Sequence, residues 1–135
     1  MAVEFALIVP VFLVLVYGGL SFGMAMSAKS IVTEAAADGA RAAIGVGTSA
    51  AITVAESEAT QVLNNEGTAY KTYGSVNATL STAGDGTCGP SLTAQCITVT
   101  INYPYSSHPA LPNLPGFGLI LPSTLNATYT VEVTP

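Results

Sequence analysis

EFALIVPVFLVLVYGGLSFGMAMSA, residues 4–28, decides the architecture: one carboxylate, Glu4, then twenty-four residues from Phe5 to Ala28 without a charge. As a helix, that run spans about 36 Å, enough to cross a hydrocarbon layer roughly 30 Å thick. An ionised carboxylate in lipid costs several kcal/mol, so an acid at the buried end of such a run signals a role beyond anchoring. No Lys or Arg precedes Lys29, and the nearest available cation is a free N-terminal amine, the chain's own or a neighbour's. A cleavable secretory signal has a basic leading region and an apolar core of about 7–15 residues. This run lacks the first and exceeds the second.

Working outward, residues 1–44 read as one long helix serving as a transmembrane or filament-core element. Pro10 removes an N–H and is expected to kink or loosen it. Gly18 and Gly19 weaken it again, which a helix among other helices tolerates. Gly19, Gly23 and Ser27 repeat every four residues, a small-residue strip suited to close backbone approach. The strip reads on through Ala35, Gly39 and Ala43, with Ala36 and Ala40 beside it; chance spacing in an Ala/Gly-rich helix is the competing reading. Asp38 and Arg41 are placed to pair on the surface. Gly45 and Gly47 end the helix.

Residues 45–135 read as a small head domain. Its helix, about 49–65, is capped by Thr48 or Ser49 and buries Ile52, Ala55, Ala59, Val62 and Leu63. Glu56 and Glu58 face away from that stripe, and Gly67 stops the helix. Three strands follow, at about 70–82, 96–103 and 125–134. The second alternates Ile97, Val99, Ile101, Tyr103 against Thr98, Thr100, Asn102; the third alternates Leu125, Ala127, Tyr129, Val131, Val133 against Asn126, Thr128, Thr130, Glu132. Period-two patterns with one apolar face describe a sheet covered on one side. The fold class is therefore α+β, a small antiparallel sheet packed on helix. The connection from Pro104 to Pro122 carries five prolines and the apolar run from Leu114 to Pro122. It suits either contact with a neighbouring molecule or folding back over the sheet.

Composition excludes several functions. Net charge is −5 with three basic residues, Lys29, Arg41 and Lys71, which argues against nucleic-acid binding. Charged residues are 8% of the chain, and after Asp85 the only formal charge is Glu132, so Thr, Ser and Asn must supply the polar surface. Cys88 and Cys96 cannot hold a structural zinc with His108 as the sole histidine. One disulfide closing a short loop suits an exported domain, with two buried free thiols as the alternative. No nucleophile–base pair and no phosphate-binding glycine loop can be written, so neither an enzyme nor a cofactor is expected. Asn77-Ala-Thr79 and Asn126-Ala-Thr128 are glycosylation acceptors only in a glycosylating host.

The opening Ala2-Val-Glu-Phe-Ala-Leu-Ile-Val-Pro-Val-Phe-Leu-Val-Leu is similar to the start of TadE-like proteins of the bacterial tight-adherence (Tad, Flp) pilus system. The resemblance continues through Phe22-Gly23 and Ala35-Ala-Ala-Asp-Gly-Ala-Arg41-Ala, and more weakly through Val99-Thr-Ile-Asn-Tyr-Pro-Tyr105 and Leu121-Pro-Ser-Thr-Leu-Asn-Ala-Thr128. It implies a type IV pilin-like subunit, cut from a precursor by a prepilin peptidase, with a glutamate at the fifth mature position followed by an aromatic. Glu4 and Phe5 match in type, one position early if Met1 is the first mature residue. The expected partners are further copies in a helical filament, the inner membrane before assembly, and the pilus assembly machinery; the expected destination is an extracellular pilus. Glu4, Phe5, Pro10, Gly19 and Gly23 are the expected assembly residues. Two alternatives stand beside a structural pilin. One is a minor pseudopilin needed for initiation, the usual role of TadE-like proteins; the other is a membrane-anchored binding module using Tyr103, Tyr105, His108 and the proline-rich loop.

Overall fold

A computed structural model of the chain describes residues 2–81, 88, 95–110 and 121–133. Three helices precede three strands: α1 (Ala2–Ala42), α2 (Thr48–Glu66), α3 (Thr68–Tyr73), then β1 (Ser75–Ser81), β2 (Gln95–Tyr103) and β3 (Leu125–Val133). The strands form one antiparallel sheet in the order β1-β2-β3, with Ser75 opposite Asn102 and Tyr103 opposite Leu125. This is the expected α+β class.

α1 stays helical through Pro10 and carries Glu4 in its first turn and Arg41 in its last. Those charges complement the positive and negative ends of the helix dipole. Beyond the end of the helix the chain turns at Gly45, whose φ of +80° only glycine adopts without strain. α2 then folds back along α1. Its N-cap is Gly47, with no side-chain cap from Thr48 or Ser49. Ala51, Ala55, Ala59 and Leu63 are buried, while Ile52 is exposed, so the buried stripe is turned toward Ala51 from the one read in the sequence.

The upper part of α1 belongs to the head's core. Ala25, Ala28, Val32, Ala35, Ala36, Ala40 and Ala43 are buried against α2's alanines and the inner sheet residues Ile97, Val99, Ile101, Leu125 and Val133. Alanine on both helices lets their backbones come close. At Gly39 a Cβ would fall 2.7 Å from the Ala55 carbonyl oxygen and 2.8 Å from the Ala59 Cβ.

The first strand begins later than its Thr, Val and Tyr content indicates. Residues 68–73 form α3, between Gly67 at φ +143° and Gly74. Tyr70 from this turn packs on Tyr103 with ring centroids 4.9 Å apart. That tertiary contact overrides the β preference of Thr and Tyr. Glu56 also departs from expectation: it turns to the sheet, and its Oε1 accepts the Ala78 N–H at 3.0 Å. It thereby occupies a donor on the outer edge of β1, which would otherwise be open to pairing with another strand.

The outer face of the sheet is polar, with the Thr98 and Thr130 hydroxyls 2.9 Å apart. At one end of it Cys88 and Cys96 are joined in a disulfide with Cα atoms 5.5 Å apart, forming a small buried cluster separate from the main core. The apolar run from Leu114 to Pro122 lies largely outside the described residues.

Candidate assembly face

The membrane-length helix has two different ends. From Ser21 upward, one residue in every three or four is buried against the head: Ser21, Ala25, Ala28, Val32, Ala35. Below Ser21 no described residue of α1 is buried. Fourteen large apolar side chains between Val3 and Met26 are exposed, among them Phe5 at 71% and Phe12 at 61%. Leu13, Val14, Leu15 and Val16 are exposed in succession, so the apolar surface runs all round the helix. At about 1.5–3 kcal/mol per large apolar side chain, leaving this surface in water costs on the order of 20 kcal/mol. It requires lipid or protein around it. Along one side, Leu7, Ile8, Val11, Phe12 and Leu15 line a shallow apolar groove of about 270 Å³.

The glycines divide the same way. Gly39 is filled by α2, whereas nothing stands within 4 Å of a Cβ placed on Gly19 or Gly23. The two sets do not share a face. Gly23 is sixteen residues from Gly39, and at about 100° per residue that is about 160° round the helix. A four-residue repeat therefore winds away from the head, and the seam that packs on it runs instead through Val32, Ala28, Ala25 and Ser21. The open glycines are left on the side turned away from the head.

Of the sequence-derived assembly residues, Glu4, Phe5 and Pro10 lie together in the first turns of α1, exposed, with Gly19 and Gly23 farther along the same free surface. Tyr103, Tyr105 and His108, the contact surface of a binding module, are engaged within the head. Tyr103 and Tyr105 are buried. The Tyr103 hydroxyl donates to the His108 carbonyl at 2.9 Å, and the His108 ring stacks on Tyr73 with centroids 3.3 Å apart. Burial, then neighbouring Tyr105 and Glu66, raises the Tyr70 pKa above the ordinary phenol value; burial, then Tyr70, Tyr105 and Tyr73, raises that of Tyr103. The cluster braces α3 against the end of β2.

Two cationic contacts missed in the sequence tie α1 to β3. Lys29 Nζ donates to the Asn126 carbonyl, and the Arg41 guanidinium lies over the Tyr129 ring, 5.8 Å from its centroid. Arg41 also pairs with Asp38 at 3.4 Å, as the spacing indicated. The residue types gave no signal for partners on a strand so far along the chain.

The surface thus described is a helix with a bare apolar foot, an acid near its tip and an uncovered glycine pair. Residues 1–41 match the TadE-like protein family. The matched segment is almost the whole of α1, and the resemblance is to a family of Tad pilus components. No curated protein and no solved structure matches the chain. α1 is long and apolar enough to cross a membrane, consistent with anchoring there.

Proposed function

We propose that this chain is a structural subunit of a Tad-type pilus, held in the inner membrane by α1 and assembled by packing the bare lower half of α1 among identical helices. The observation that carries this is the all-round exposure of apolar side chains from Val3 to Leu20, together with the open backbone at Gly19 and Gly23. Moving that surface from lipid into a bundle of sister helices avoids the cost of hydration. A contact that repeats head to tail without closing builds a helical fibre. Glu4 sets axial register by meeting the N-terminal amine of a neighbour. Buried ion pairs contribute little net stability, but they discriminate between registers.

A minor pseudopilin acting at initiation is the second reading, favoured by the match being to the TadE-like family. An epitope inserted at the exposed Ser106–Ser107 turn and followed by immunogold electron microscopy separates the two. Label along the whole shaft supports the structural subunit. Label confined to filament ends or to the cell envelope overturns it in favour of the minor role.

A further inference from the structure

At the foot of the head a second groove opens between α1 and the start of β3, about 280 Å³ in volume. Phe22 and Met26 form one wall, Pro122 and Leu125 the other, and Lys29 and Asn126 stand at its polar end. Among the described residues, no acidic one lines it. Its height on the helix is fixed by the sequence. Met26 is the last of the exposed large apolar side chains in the uncharged run, and Lys29 is the first cation of the chain. Lys29 lies three residues, about 4.5 Å, above Met26 and about 10 Å above Phe22. With α1 in a bilayer, the groove straddles the boundary between acyl chains and headgroups, apolar below and cationic above.

The Lys29 ammonium has three donors, and one is used by the Asn126 carbonyl. Two remain at the level where lipid phosphates lie. The strand carbonyl holds the ammonium beside the groove instead of leaving it to sweep through solvent. The volume is below the roughly 300 Å³ of small-molecule sites, so it accommodates a segment of one acyl chain while the rest of the molecule stays in the bilayer.

We propose that this groove holds one anionic phospholipid, its phosphate against Lys29 and the upper part of an acyl chain between Phe22, Met26 and Leu125. The site requires α1 in a membrane; it does not depend on whether the chain polymerises. A basic side chain at an anionic membrane surface is worth about 1 kcal/mol, which corresponds to an about fivefold preference over a zwitterionic lipid.

The test is native mass spectrometry of the full chain released from nanodiscs containing phosphatidylglycerol and phosphatidylcholine in equal amounts. The expected result is one retained lipid per chain, about fivefold enriched in phosphatidylglycerol. Lys29→Gln abolishes the enrichment and Lys29→Arg keeps it. Phe22→Ala, a change at an exposed position, lowers retention of both lipids without altering their ratio. Equal retention of the two lipids overturns the proposal, as does a Lys29→Gln chain with undiminished preference. Displacement of the lipid by millimolar inorganic phosphate assigns the site to a free anion, and lipid-free dimers joined through the groove assign it to a second copy; either result also overturns it.

Discussion

Replacing Gly39 with alanine should loosen the head, while the same change at Gly23 should not. A Cβ at Gly39 falls 2.7 Å from the Ala55 carbonyl oxygen and 2.8 Å from the Ala59 Cβ. Carbon atoms in contact prefer about 3.5–4.0 Å, so α1 and α2 must separate by close to 1 Å. The obstacle is backbone and a methyl group, neither of which can swing aside. Overpacking of this kind costs about 1–3 kcal/mol, and exchanging glycine for alanine in a helix returns about 0.5–1 kcal/mol. The net destabilisation is about 1–2 kcal/mol, or roughly 5–15 °C in Tm for a domain of this size. At Gly23 nothing lies within 4 Å, leaving only the helix-propensity gain. Thermal unfolding of the full chain in detergent, followed by near-ultraviolet circular dichroism of the head's tyrosines, reads both variants. A Gly39→Ala chain as stable as wild type would refute the close α1–α2 contact. A Gly23→Ala chain destabilised to the same extent would refute the division of α1 into a packed and an open face.

Other outcomes follow from the same contacts. Gly23→Ala, neutral for the fold, should reduce pilus yield on cells if the open backbone meets a neighbouring helix. Glu4→Ala should lower filament number by electron microscopy while leaving the membrane-bound pool of subunit unchanged; assembly at wild-type efficiency would remove the register role. Cys88→Ser should cost about 2–3 kcal/mol in head stability by denaturant titration, because it opens a short loop. Stability should also fall in alkali. The Tyr70 and Tyr103 pKa values are raised in the fold, so the unfolded phenols ionise first, near pH 10. Their contribution is complete below pH about 10 and is lost as pH rises from there toward the folded values. Tyr103→Phe should flatten that decline in an unfolding series across this range.

The sheet was legible because β2 and β3 alternate strictly, Ile97, Val99 and Ile101 inward against Thr98, Thr100 and Asn102. That pattern depends only on which face is covered. α3 was hidden because Thr68–Tyr73 has the residue types of a strand, and its helix is held by Tyr70 lying on Tyr103, a contact made only after β2 is in place. Glu56 was hidden for the same reason: its partner is a backbone N–H on β1 that no helical periodicity reveals. The apolar foot of α1 was plain from composition. Its small-residue strip was misread as one continuous face, since a repeat of four outruns the 3.6-residue turn and carries Gly23 round to the far side from Gly39. Lys29 stood out as the first cation, but the Asn126 carbonyl beside it had no mark in the sequence.

The central claim is tested most directly by a photo-crosslinking amino acid at Phe12, in the middle of the bare apolar segment, with pili sheared from cells and irradiated. Phe12 is exposed and lines the lower groove, so the substitution leaves the head untouched. The account predicts adducts joining two copies of this chain, abundant in sheared filaments and sparse in the membrane fraction. Adducts to lipid alone, with the same-chain product absent from every fraction, would contradict it.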